Sequence, residues 1–297
     1  MGWNLDAVGS QHGKTALVTG SNTGIGLATV RALARKGARV LLACRNPQKG
    51  TDALARLRTE VPDCDAALIV LDLARLASVR VAADAVLAQT DRLDLLINNA
   101  GLMMPPFSRT EDGFELQFGT NVLGHFALTG HLLPLLERTS QARVVWLSSL
   151  THWTARIDFA NLNAEKGYKD SREYGQSKLA NLMLAYEMDR RLKRTGGTTL
   201  SVAAHPGFTR SELTRDLKLI NLLAKPFLQP TDDGALPSLR AALDPTVRGG
   251  EHFGPGGFAA IAGAPTRQRS SRRSQDPAVA AQLWETCEAL TGVRYLD

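Results

Sequence analysis

The sequence predicts an α/β protein: one doubly wound parallel sheet, in a single domain, with helices on both faces. Three observations carry that prediction. Short β-branched or leucine-rich runs alternate strictly with longer amphipathic stretches. Right-handed crossovers turn such alternation into a sheet wound in both directions. The 297 residues, 44% hydrophobic and 22% charged, supply one large core, and no repeat, low-complexity tract or linker interrupts them before about residue 245.

In chain order, the first strand is Ala16–Thr19, short and β-branched as a buried strand is. A helix over 25–36 follows, with Ile25, Ala28, Ala32 and Leu33 at helical spacing and a stop at Lys36-Gly37. Between them lie Gly20, Gly24 and Gly26. Such a turn brings bare backbone N–H groups and a helix N-terminus together, which favours a phosphate. Further strands are expected at Arg39–Cys44, Ala67–Leu71, Leu93–Asn98, Arg143–Ser148 and Leu200–His205, and helices over 47–60, 75–90, 121–138 and 173–194. The Gly/Pro-rich stretch from Arg248 to Thr266 reads as loop or a last edge strand, before a helix starting near Asp276-Pro277.

In a doubly wound sheet, ligands bind beyond the carboxyl ends of the strands. Strand two ends in "LLACRN", with no acidic residue to hold ribose hydroxyls; Arg45 instead offers a guanidinium fork suited to a 2′-phosphate, favouring NADP over NAD. Asp72, at the end of strand three, suits either an adenine amino group or the N-cap of the next helix. "NNAG", Asn98 to Gly101, permits side-chain bonding to neighbouring backbone and close approach to a cofactor. In "EYGQSKLAN", Tyr174 and Lys178 are four apart and share one helix face. An adjacent ammonium is expected to lower the phenol pKa, making Tyr174 an acid or base for a carbonyl/alcohol pair. Ser148 and Ser149 end the strand "VVWLSS", where a hydroxyl can hold a substrate oxygen.

Composition narrows the rest. Lysine and arginine exceed the acidic residues by six, which suits an anionic cofactor and is too diffuse for nucleic acid; the basic run Arg267 to Arg273 reads as a solvated loop. Three cysteines without CxxC spacing argue against a disulfide framework or zinc site, and the six histidines lack metal-ligand spacing. With no signal pattern and no bilayer-length apolar run, the expectation is a cytoplasmic protein.

Taken together, "TGSNTGIG", "NNAG", Asn121 in "FGTNVLGHF", "SS", "YGQSK" and "HPGFTRSEL" resemble the short-chain dehydrogenase/reductase family over about Lys14 to Thr209. "ACRN", "QSKLAN" and "AHPGFTRSEL" are most similar to its retinol-dehydrogenase-like branch and related bacterial carbonyl reductases. The resemblance implies a Rossmann-type core over 13–210, a substrate lid over 211–230 and a C-terminal extension over 250–297. It implies a catalytic set of Asn121, Ser149, Tyr174 and Lys178: Ser149 orients a carbonyl, Tyr174 gives it a proton, Lys178 binds the nicotinamide ribose, and Asn121 holds a water. Choosing Ser149 over Ser148 rests on family register, because a one-residue slip reverses their facing. Tyr168 is a decoy, since Arg172 stands four residues on.

By the same resemblance, NADP(H) contacts fall on Gly20, Ser21, Asn22, Thr23, Gly24, Ile25 and Gly26, on Arg45, Asp72 and Leu73, on Asn99, Ala100 and Gly101, on Tyr174 and Lys178, and on Pro206, Gly207 and Thr209. The implied reaction moves hydride between NADP(H) and a carbonyl or alcohol. Met103, Met104 and Trp153, with an amphipathic stretch from Leu213 to Leu228, suit a bulky apolar ketone or aldehyde: retinoid, steroid or polyketide. That stretch reads equally as a lid or as an ordinary core helix, with a membrane-surface helix the lesser alternative. A homo-oligomer packed through the helices after Asn121 and Tyr174 is also expected. The competing reading, a non-catalytic NADP-sensing regulator, leaves the Tyr174–Lys178 pair without a purpose.

Overall fold

In the computed structural model, residues 3–209 and 228–297 are described. The expected lid stretch 213–228 lies outside them but for Leu228. Eight strands form one sheet in the order β3-β2-β1-β4-β5-β6-β7-β8. They are β1 Thr15–Thr19, β2 Arg39–Cys44, β3 Ala66–Val70, β4 Leu95–Asn98, β5 Arg143–Leu147, β6 Leu200–Ala204, β7 His252–Pro255 and β8 Pro265–Arg267. All neighbours pair in parallel except β7 and β8, which are antiparallel. The sheet order turns around β1, so a crevice opens between the ends of β1 and β4, where an open α/β sheet binds its ligand.

Alternation along each strand feeds two cores. In β1, Leu17 faces a layer made with α3 (Leu76–Gln89), α4 (Gly124–Arg138), α5 (Asp170–Thr195) and α7 (Pro277–Thr291). Ala16 and Val18 face the other layer, with α1 (Gly24–Arg35), α2 (Pro47–Glu60) and α6 (Thr231–Leu243). Side chains burying alternately on both faces produce continuously apolar strands.

The structure departs from expectation at the start of α4, at α6 and at one end of the basic run, and follows it in the C-terminal stretch, where edge strands precede a helix beginning at Pro277. The helix expected over 121–138 begins earlier, with a turn at Leu116–Phe118 capped by the Glu115 carboxylate, and passes through a π-helical turn at Gly119–Leu123 before α4. One such turn inserts a residue without breaking the helix, and it commonly sits at functional sites. Helix α6 lies beyond the predicted elements, although Asp232 and Asp233 in its first turn and buried Ala235, Leu239 and Ala242 mark it as amphipathic. Residues 250–297 extend the same sheet and core with β7, β8 and α7. The basic run is structured as well: Arg267 ends β8 and pairs with Glu251 at 2.9 Å, and Arg273 donates to the Ala155 carbonyl at 3.3 Å.

One side of the helices after Asn121 and Tyr174 packs against the C-terminal stretch of the same chain. Phe126 of α4, Trp284 of α7 and Tyr295 stack with ring centroids 4.7–5.0 Å apart, and the Arg191 guanidinium of α5 lies 4.9 Å from the Trp284 ring. Among the described residues no helix is long and apolar enough to cross a membrane.

Candidate active site

Beyond β1, Gly20 takes φ +65°, and the Gly20 and Ser21 N–H groups donate to the Ala43 carbonyl at 2.7 and 3.3 Å. The turn is thereby tied to the end of β2, two residues before exposed Arg45. A Cβ at Gly26 would overlap the Gly20 carbonyl oxygen and crowd Asn99 Nδ2, so only glycine lets α1 start this close to the turn. Thr23 occupies the N-cap of α1 without a side-chain cap, and the Ser21 hydroxyl is fully buried with no partner. These open donors face the crevice end of the sheet, where a phosphate accepts them.

The residues after β4 hold that turn in place. Asn99 Nδ2 donates to the Thr19 carbonyl at 2.7 Å, and the Asn99 and Ala100 N–H groups donate to Thr19 Oγ1 at 2.9 Å each. Asp72 is not the N-cap of α3, a place Arg75 takes; one carboxylate oxygen accepts from Ala74 N–H at 3.0 Å in a tight turn. The backbone of adjoining Leu73 packs against Gly124, where a Cβ would overlap its carbonyl. Thr209 is buried and donates to the Pro206 carbonyl at 2.9 Å, closing the short loop through Gly207 after β6.

The two serines divide as the strand pleat requires. Ser148 is buried and donates to the Lys178 carbonyl at 2.8 Å, a structural bond. Ser149 is half-buried, and its hydroxyl is a hydrogen-bonding neighbour of the Tyr174 phenol. Tyr174 and Lys178 stand one turn apart on α5, both buried, with the ammonium 5.9 Å from the phenol ring centroid and donating to the Leu147 carbonyl at 3.2 Å. The Asn121 amide packs between them and the loop after β4: Oδ1 accepts from Leu102 N–H at 2.7 Å, and Nδ2 donates to Leu102 O at 3.0 Å and Ser177 Oγ at 2.9 Å. A Cβ on Gly101 would stand 3.2 Å from Lys178 Nζ and 3.3 Å from Asn121 Oδ1.

One electrostatic expectation is corrected. Burial pushes the Tyr174 phenol above its ordinary range, and the opposing influence comes from the Ser149 hydroxyl rather than from Lys178. The same burial pulls Lys178 down to about 8. At neutral pH the site thus holds a protonated phenol beside a lysine close to its titration point.

Of the residues expected to face a substrate, Met103 and Met104 are half-buried in the loop after β4 and Trp153 is half-exposed. Met104, at φ +53°, is held by its N–H bond to Gln117 Oε1 at 2.9 Å. Tyr168 braces the same loop, donating to the Pro105 carbonyl at 2.6 Å while accepting from Gln117 Nε2 at 3.2 Å. Gln117, Ser177 and Thr19 are contributors that sequence reasoning missed; only Thr19, as the hydroxyl residue just before the glycine turn, carried a local signal.

Residues 14–219 match the family model described as short chain dehydrogenase. The chain belongs to the short-chain dehydrogenases. Within that family it falls in the retinol-dehydrogenase-like branch. It is 41% identical to mouse retinol dehydrogenase 12 over 288 residues, covering 95% of this chain and 88% of that one. With mouse retinol dehydrogenase 11 it shares 42% over 284 residues, covering 94% and 86%. Among solved structures, a putative uncharacterised protein from Mycobacterium paratuberculosis superposes with a TM-score of 0.84 at 38% identity, covering 99% of each chain. The Pseudomonas aeruginosa RhlG/NADP active-site complex matches at TM-score 0.67 and 27% identity, over 82% of this chain and 94% of that one. As a short-chain dehydrogenase the protein is an oxidoreductase acting on alcohols with a nicotinamide cofactor. The buried, unpartnered Ser21 hydroxyl, the uncapped start of α1 and the close glycine packing fit the pyrophosphate of such a cofactor.

Proposed function

We propose that this short-chain dehydrogenase interconverts a bulky apolar ketone or aldehyde and its alcohol, using NADP(H). When bound, the nicotinamide supplies or accepts the hydride. The reading rests on one observation: buried Tyr174 and Lys178 come together with half-buried Ser149 beside the loop after β4. Ser149 orients the substrate oxygen, and Tyr174, kept protonated by burial, donates its proton as negative charge develops there. Lys178 holds the ribose side of the cofactor, and Asn121 fixes the loop on which Gly101 passes both groups.

Arg45 is assigned the 2′-phosphate, because the end of β2 bonds directly to the glycine turn and carries no acidic residue. The half-buried methionines and the names of the retinol dehydrogenase relatives support an apolar substrate, which methionines accommodate by adapting shape. The test is loss of reduced-nicotinamide absorbance with a panel of apolar aldehydes and ketones. Wild type is expected to consume NADPH and Tyr174→Phe to fall by two orders of magnitude or more; equal turnover removes the assignment. Arg45→Ala should weaken NADPH at least tenfold more than NADH, and an equal effect on both refutes the 2′-phosphate role.

A further inference from the structure

His125 lies one turn after Asn121, in the first turn of α4, and is fully buried. Its Nδ1 is 3.0 Å from the Asn121 carbonyl oxygen and its Nε2 is 2.8 Å from Thr19 Oγ1. Proton counting fixes its state. A carbonyl only accepts, so Nδ1 carries the hydrogen. Thr19 Oγ1 already accepts from Asn99 and Ala100 N–H, which uses both lone pairs, and its own hydrogen goes to Nε2 at 2.8 Å in preference to the Ile97 carbonyl at 3.4 Å. A second ring proton would confront three donors at one oxygen. Burial and the nearby Lys178 charge act in the same direction, pulling His125 down to about 4.

The ring therefore joins two parts of the site that come from distant sequence. On one side is the π-helical turn that presents Asn121; on the other is the Thr19 hydroxyl, which organises the glycine turn and the loop after β4. We propose that His125, as the neutral Nδ1–H imidazole, is a positioning residue that holds the catalytic turn and the dinucleotide cradle in one register. This deepens the NADP(H)-dependent reading above and rests on it. His125 touches neither phenol nor ammonium in the hydrogen-bond network, so its effect is transmitted through Asn121 and Thr19.

Two conservative variants each remove one half of the connection. In His125→Asn the side-chain N–H replaces Nδ1–H towards Asn121 and the link to Thr19 is lost. In His125→Gln the side-chain oxygen replaces Nε2 as acceptor from Thr19, and the bond to Asn121 is lost. NADPH Kd is read by fluorescence titration, kcat with the best carbonyl of the panel, and folding by thermal melting. His125→Asn is expected to lose about tenfold in NADPH affinity, more than it loses in kcat; His125→Gln is expected to reverse that order, with about tenfold lost in kcat. Equal losses in both parameters for both variants, scaling with the fall in melting temperature, overturn the proposal. A measurement on the unaltered protein stands beside these: 15N histidine spectra should show His125 as the Nδ1–H tautomer, unchanged from pH 8 to 5. An Nε2–H tautomer, or titration in that range, overturns it too. Wild type that fails to bind NADPH sinks the functional reading instead, so the two failures are distinguishable.

Discussion

Replacing Ser149 and Ser148 by alanine, one at a time, separates chemistry from architecture across a single peptide unit. The Ser149 hydroxyl is a hydrogen-bonding neighbour of the Tyr174 phenol, and the proposed reaction uses it as the donor to the substrate oxygen. Removing one such donor from a preorganised site costs roughly 2.7–4 kcal/mol of transition-state stabilisation, a hundredfold to thousandfold in kcat. Its fold contribution is small, since its other bond, from Thr151 N–H, is long at 3.4 Å. Ser148 reverses these weights. Its alcohol makes one buried bond of 2.8 Å to the Lys178 carbonyl, and losing it should cost about 1–3 kcal/mol of stability, several degrees in Tm. Steady-state NADPH oxidation and thermal melting, run on both variants, decide the matter. Ser149→Ala should melt near wild type with kcat down at least a hundredfold, while Ser148→Ala should melt lower with kcat within about tenfold. The opposite pattern would show that the strand presents the other hydroxyl to the pocket and would refute the reasoning.

Gly26→Ala should abolish NADPH binding or lower stability by several kcal/mol, because its methyl overlaps the Gly20 carbonyl; titration and melting read this, and a variant that binds normally contradicts the close packing. Trp284→Ala removes the centre of the aromatic stack over α4 and α5, so it should cost about 3–5 kcal/mol by chemical denaturation. Acid sensitivity should begin above the carboxylate range. Burial holds His125 at about 4 and His205 at about 3, both below the ordinary 6.5, so the unfolded chain binds more protons and stability falls as pH drops below 6.5. From pH 6.5 to 5 each contributes about 2 kcal/mol of loss, and a denaturation free energy that stays flat over that interval would exclude it.

Local features were the legible ones. The strand, glycine turn and helix from Thr15 to Arg35 were readable because each is decided by neighbours in sequence, and the Tyr174–Lys178 pairing because a helix repeats every turn. The choice between Ser148 and Ser149 turned on a pleat alternation that periodicity alone leaves open by one residue. The π-helical turn at Gly119–Leu123 was hidden, since its extra residue is accommodated by packing rather than announced by a breaker. Thr19 and His125 are 106 positions apart, so nothing short of the folded sheet brings them together. The tyrosine pKa was misjudged for a related reason: a neighbouring charge can be counted in sequence, but burial cannot.

The seal that α7 and Tyr295 place over α4 and α5 bears on how the molecule is made. A ribosome delivers strands β1 to β4 long before residues 277–295, yet Leu283 and Trp284 of α7 lie in the same core cluster as Leu17 of β1 and Leu96 of β4, so that core cannot close until the last helix has emerged. The chain's final stretch is thus as much a keystone of the nucleotide cradle as its first.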